Sequence, residues 1–380
     1  MAVGLIGVLV LPVSAEEVFG GFDLSSGITL RGGFENLDGT TSHTITAVPE
    51  FTLSRSGNDL STTVSGNLTL NQQGKTTFAL RGGSLSGALS KQFGRNGVAE
   101  LGLSYGYSIP RADNPDLATD IKTPGHTQAF GVSTGYTHSF SKTELSLRGS
   151  LARSQTSNSI LNDDTVQSNA DQNSWRYEFG GRVSRQLTPI IAAYFDAQAA
   201  RERYDTASAS LSASRDNYSV QAEAGAQVSI SNQLSGELGF GVLRQTFDDT
   251  SLATLQTWTY NGALQWDAYD NLAFRVDADT EVSPSNVSGE AMRIVDNGRV
   301  SLSYRANDML SLSAYGSISR QHYQGNADDI KTTGVGFGAD YLINNQLSTF
   351  ANYNFSLRQP SAAAASRTHM IEAGFRFTRQ

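Results

Sequence analysis

The stretch His369–Thr378 reads HMIEAGFRFT and alternates strictly. His369, Ile371, Ala373, Phe375 and Phe377 point one way, while Met370, Glu372, Gly374 and Arg376 point the other. A strand places successive side chains on opposite faces. A hydrocarbon row backed by a row holding Glu and Arg cannot pack into a dry core on both sides. It suits a wall with lipid on one side and water on the other, the construction of a transmembrane β-barrel. Leu272–Val282 repeats the pattern, with Leu272, Phe274, Val276, Ala278 and Val282 opposed by Arg275, Asp277, Asp279 and Glu281.

Composition agrees with a wall of this kind. Hydrophobic residues make up 38% of the 380, and mean hydropathy is −0.30. A helical membrane protein needs about 20 consecutive apolar residues per span, and none occurs after residue 15. A barrel needs apolar residues only at alternate positions. With no Cys, thiol catalysis and Cys-based metal sites are excluded. A net charge of −8 argues against a nucleic-acid partner. The opening MAVGLIGVLVLPVSA resembles the apolar region and cleavage site of a secretory leader lacking its basic start. The expected organisation is a signal peptide at 1–15, truncated at its start, a periplasmic segment at 16–26, and a barrel over 27–380.

A repeat organises that barrel. VSRQLTPIIAAYF, VSISNQLSGELGF, QWDAYDNLAFRV, SYRANDMLSLSAY and DYLINNQLSTFANY each place a short polar turn before a Leu or Ile that opens the next strand. Looser copies centre on SRSGNDLSTT, KQFGRNGVAE and HSFSKTELSL. Eight such turns plus a first and a last strand predict an all-β, antiparallel, up-and-down barrel of about 18 strands, with 16 as the alternative. The opposite connections are longer, up to about 18 residues, and predict a wide bore without a strong constriction. Short turns belong to the periplasmic rim and longer loops to the extracellular one. One strand breaks phase between Leu80 and Leu85, and Gly82-Gly83 is expected to mark a bulge there.

The water-facing row is the candidate functional surface. Strand phase turns Arg176, Glu178, Arg182, Asp196, Glu223, Glu237, Asp267, Arg275, Asp277, Asp279, Glu281, Arg299, Arg305, Asp340, Glu372 and Arg376 inward as pore lining. Individually many of these serve as braces paired across strands; as a set they describe a mixed-charge, slightly acidic lumen. Tyr194, Tyr315 and Phe350 also face inward, where rings can meet sugar faces. On the apolar face, Trp266, Tyr304, Tyr341 and Phe377 stand near the turns, and Trp175, Tyr177, Trp258 and Tyr260 toward the loops, as two interfacial girdles. Arg201, Arg203 and Arg320 sit near the outer rim facing lipid, in reach of lipopolysaccharide phosphates or snorkelling into headgroups. The five histidines carry no catalytic spacing, the glycines of GELGFGVL open no helix and are expected to make room beside wall aromatics, and the Asp pairs read as solvated turns. No enzyme, metal or cofactor is expected.

Units such as SYRANDMLSLSAYGSISRQHY and DYLINNQLSTFANYNFSLRQ carry a further signal. In them the chain resembles the outer-membrane β-barrel porins of alphaproteobacteria that are often linked to exopolysaccharide loci. The resemblance spans about Ser25 to Phe377. It implies a location in the bacterial outer membrane among lipid and lipopolysaccharide, insertion by the outer-membrane assembly machinery, and a conduit role. Three functions follow as expectations: a channel for hydrophilic solutes, an exit conduit for a polysaccharide working with periplasmic export proteins, or a structural or adhesive barrel.

Overall fold

The chain was analysed as a computed structural model. It describes residues 21–73, 78–110, 121–208, 210–231, 233–285, 290–324, 329–361 and 363–379; the expected leader at 1–15 lies outside them. Eighteen strands form one antiparallel sheet. The first six are β1 (Asp23–Leu37), β2 (Thr40–Ser56), β3 (Leu60–Gln73), β4 (Ala79–Phe93), β5 (Gly97–Ser108) and β6 (Thr127–Phe140). Next come β7 (Thr143–Thr156), β8 (Ser174–Thr188), β9 (Ile191–Tyr204), β10 (Asn217–Ile230), β11 (Leu234–Phe247) and β12 (Leu255–Tyr269). The last are β13 (Leu272–Pro284), β14 (Met292–Arg305), β15 (Leu310–Tyr323), β16 (Asp329–Asn344), β17 (Leu347–Pro360) and β18 (Ser366–Arg379). Each pairs with its neighbours in sequence, and β1 pairs with β18 from Ser26–Arg379 to Leu37–Thr368. The sheet therefore closes into a barrel, with each strand bonded on both sides over most of its length, a condition for strands to cross a membrane.

The wall is two-sided. Phe179, Phe240 and Trp258 expose 63%, 62% and 78% of their surface on its outside. Rings so bare are costly in water and at home in lipid. Long strands are joined at one rim by short turns, such as Ser141–Lys142 and Asp270–Asn271, and both described ends of the chain lie at that rim. At the other rim Asp38 and Gly39, with φ of 48° and 90°, make a two-residue turn that the repeat did not reveal. Asp-Gly suits it because both central residues of such a hairpin need positive φ. The phase break in β4 is a register shift against β3. Thr69 pairs with Gly82 and Leu70 with Leu80, so Arg81 is the extra residue, one position before the expected glycines.

The seam between β12 and β13 departs from the rest. Its ladder stops at Asn261–Asp279. Above that point β12 stays bonded to β11 as far as Leu255–Gln245, and β13 to β14 as far as Pro284–Met292. A small apolar cluster of Phe247, Leu255, Ala291 and Met292 packs beside this opening, with Leu211, Leu252, Val282 and Ile294 against it.

Candidate functional site

Lipid-facing residues on neighbouring strands share register, so the alternate residues line the lumen. The structure places Arg176, Glu178, Arg182, Asp196, Glu223, Glu237, Asp267, Arg275, Asp277, Asp279, Glu281, Arg299, Arg305, Asp340, Glu372 and Arg376 on that inner face. They form a laced lining rather than a row of free charges. Arg148 on β7 forks onto Asp196 on β9 at 2.6 and 2.7 Å, lying over Gly180 of the strand between. Arg182 on β8 forks onto Glu237 on β11 at 2.7 and 3.1 Å. Three strands lie roughly 14 Å apart along a wall, so side chains can join them only across the concave inner surface.

Tyr194 on β9 anchors this lining. Its hydroxyl donates to Glu223 at 2.7 Å, and Asn261 donates to the same oxygen at 2.5 Å. The ring lies across β10 and β11, where a Cβ at Gly225 or Gly239 would collide with it. The glycines of GELGFGVL were expected to make room for wall aromatics; Gly239 instead admits this lumenal ring. The arrangement recurs farther round the wall. Tyr315 lies over Gly336 and donates to Asn354 at 2.8 Å, with Arg299 stacked on it at 3.7 Å. Phe350 lies over Gly374, with Arg376 5.6 Å from its centroid and 3.7 Å from Asp340.

Charge is unevenly paired. Arg176 meets Glu178 at 3.1 Å, Arg31 meets Glu372 at 3.5 Å, and Arg275 meets Asp277 at 2.8 Å. Arg305 donates to the backbone of Asp270 at the turn rim. Asp267, Asp279 and Glu281 have no cationic partner among the described residues; Gln265 donates to Asp267 and Asn297 to Asp279. By contrast the inner face of β3–β6 runs through Ser65, Asn67, Ser84, Ser86, Ser104, Ser133 and Thr137, with Glu100 as its carboxylate. Ser65 and Ser86 hydrogen-bond at 2.8 Å, as do Asn67 and Ser84. The β3–β6 sector, four of the eighteen strands, is thus mainly hydroxylated, and the ion pairs named above lie outside it.

Sequence reasoning missed Arg215. It sits in the loop before β10, 4% exposed, and stacks 4.6 Å from the Tyr204 ring. It donates to the Asp171 carbonyl at 2.5 Å and the Ser285 carbonyl at 2.8 Å. Those loops adjoin β8 and β13, roughly 24 Å apart along the wall, so Arg215 draws distant loops together at this rim. A solvated-looking arginine between Ser and Asp in SRDN gave no hint of it.

Of the residues expected in the girdles, Tyr177, Trp258, Trp266, Tyr304, Tyr341 and Phe377 are exposed on the outer face; Trp175 and Tyr260 share it, half-buried. Of the rim arginines, Arg201 pairs with Asp248 and Arg320 with Asp329, while Arg203 forms no ion pair among the described residues.

A closed, two-sided sheet of 18 strands with an ionised interior defines a porin-like outer-membrane barrel. The sequence profile of the family described as "Putative beta-barrel porin 2" matches residues 96–379, and the chain belongs to that family. No curated protein matches it. Among solved structures it is similar to the FrpB iron transporter from Neisseria meningitidis (F5-1 variant), at 12% identity and TM-score 0.53 over 92% of this chain and 65% of that one. It is also similar to the siderophore receptor PirA from Acinetobacter baumannii, at 8% identity and TM-score 0.51 over 93% and 80%. A third is Pseudomonas aeruginosa OccK3 (OpdO), at 12% identity and TM-score 0.50 over 94% and 96%. At such identities the likeness is one of fold. The chain spans about two thirds of the length of FrpB.

Proposed function

We propose that the protein is an outer-membrane channel that passes small hydrophilic solutes through its lumen, with a preference for cations. The observation that carries this is the acidic strip on β12 and β13. Asp267, Asp279 and Glu281 face the lumen without the arginine partners that neutralise carboxylates elsewhere on the wall. Carboxylates that no arginine neutralises, set along one path, raise the local concentration of cations and repel anions. In a planar bilayer the purified chain is expected to give discrete conductance steps, and a KCl gradient to give a reversal potential of the cation-permeant sign. A silent bilayer overturns the channel; an anion-permeant sign overturns the preference.

A second reading, exit of a polysaccharide, is supported by the hydroxyl, amide and glycine surface of β3–β6, which offers many weak hydrogen bonds and few charges to hold a sugar chain. Deleting the gene and measuring secreted polysaccharide tests it, and unchanged export removes it.

A further inference from the structure

Three features meet on one part of the wall. The first is the interrupted seam: residues 256–260 of β12 and 280–284 of β13 face each other without a ladder. Strand edges that no facing strand bonds can take hydrogen bonds from another partner. The second lies on the lipid face just below. Ala226, Leu238, Gly262 and Ala278 follow one another across four strands in register, and with Gly236 and Leu264 they line an apolar hollow of about 430 Å³. The third is the next lipid-facing row up. There the Thr280 hydroxyl donates to Asp296 at 2.9 Å, and the Tyr260 phenol interacts with both side chains. The phenol suits a girdle position, but a carboxylate and a hydroxyl beside it are out of place on a surface meant for hydrocarbon.

We propose that this part of the β12–β13 seam binds a membrane amphiphile, its acyl chain in the hollow and a polyhydroxylated head against Tyr260, Thr280 and Asp296. The vertical order fits an outer-leaflet molecule, since the hollow lies toward the membrane centre and the polar row toward the loop rim. The head chemistry follows from the acceptors present. Asp296, and backbone carbonyls that no facing strand bonds among the described residues, are acceptors that take donors, which a glycosyl head supplies and a phosphate does not. Arg320, opposite Asp296 on β15, is already held by Asp329 at 2.8 Å. The open ladder lets the head reach backbone groups that no neighbouring strand occupies. The proposal does not depend on what the lumen conducts.

Trp258, two residues above Tyr260 on the same face, is the reporter. The chain carrying Trp175→Phe and Trp266→Phe, reconstituted in phosphatidylcholine vesicles, is titrated with dodecyl maltoside brominated in its chain. Quenching of Trp258 is expected to saturate at a low mole fraction. Gly262→Leu, which fills the hollow, and Thr280→Val, which removes the hydroxyl, are each expected to raise the half-saturating fraction about five-fold or more. A chain-brominated phosphocholine of the same length should quench without saturating. Heat-modifiable gel migration verifies folding of each variant, and Thr280→Val keeps the test intact if Gly262→Leu fails to insert. Quenching that rises linearly with mole fraction and is the same in all variants, or Trp258 shielded by a second copy of the chain whatever the amphiphile, overturns the site.

Discussion

Arg182 lies flat on the ring of Tyr194, 3.6 Å from its centroid, while both terminal nitrogens of the guanidinium donate to Glu237. The stack explains how a wide barrel keeps its wall from flexing. At 18 strands the interior is too broad for side chains to meet across the middle and fill it. The lining braces itself by lying along the wall, with glycines leaving the space and rings and guanidinium forks occupying it.

Tyr194 is therefore expected to be a stability residue. Tyr194→Phe keeps the ring over Gly225 and Gly239 and removes one hydrogen bond to a carboxylate, a loss of about 1.5–3 kcal/mol. Gly239→Val drives a methyl into the same ring and carboxylate and is expected to cost as much or more. Urea unfolding of the detergent-solubilised chain measures both. Equal stability of wild type and Gly239→Val would show that the ring is free to move away.

The two-sided wall makes a sharper prediction. Phe240, 62% exposed on the lipid face, replaced by Arg should cost about 2–4 kcal/mol toward the bilayer midplane. Ser104→Arg, on the lumenal face of β5, should cost far less, because water solvates the new charge. Folding into vesicles in a urea series compares them. Similar losses at the two positions would contradict the assignment of faces.

Arg215 is expected to set the opening of the outer mouth. Arg215→Ala leaves the carbonyls of Asp171 and Ser285 without their donor and frees the loops they belong to. Single-channel conductance should rise and become noisier, and the 205–216 loop should become sensitive to protease. Unchanged conductance would mean that these loops stand beside the current path.

The barrel was legible in the sequence because period-2 patterning and turn chemistry are local. A strand such as Leu310–Ile318 declares its two faces by itself, and Asn-containing turns such as ANDM mark where it begins. Phase also turned the charged residues to one side. What local patterning does not carry is partner choice. Nothing near Arg182 in sequence names Glu237, and nothing near Gly239 names Tyr194, because those contacts are set by strand stagger around a closed sheet. The seam at Asn261–Asp279 was hidden for the same reason. Both strands look regular alone, and only their failure to pair beyond that point is unusual. The Asp38–Gly39 turn escaped because it belongs to the loop rim, where the repeat had no short unit to match.

The loop rim should also respond to acid. Asp205 accepts both terminal nitrogens of Arg153, and Asp248 those of Arg201, so each arginine holds its partner's carboxyl below the ordinary carboxylate range. Arg203 adds to the field at Asp248. A carboxyl depressed in the folded state contributes its full stabilisation above the unfolded value of about 3.9 and loses it as pH falls through the lower folded value. From neutral pH down to that ordinary value these clasps should hold, and below it they should release, freeing the loops after β9 and β11. Both pairs are exposed, so the effect is local loosening with the wall intact. Amide exchange of residues 205–208 and 248–254, followed as pH is lowered and corrected for intrinsic rates, measures it. Asp248→Asn should loosen its loop at neutral pH and abolish the acid step there, while leaving the step at Asp205. An acid step at 248–254 that persists in Asp248→Asn would assign the effect to another group.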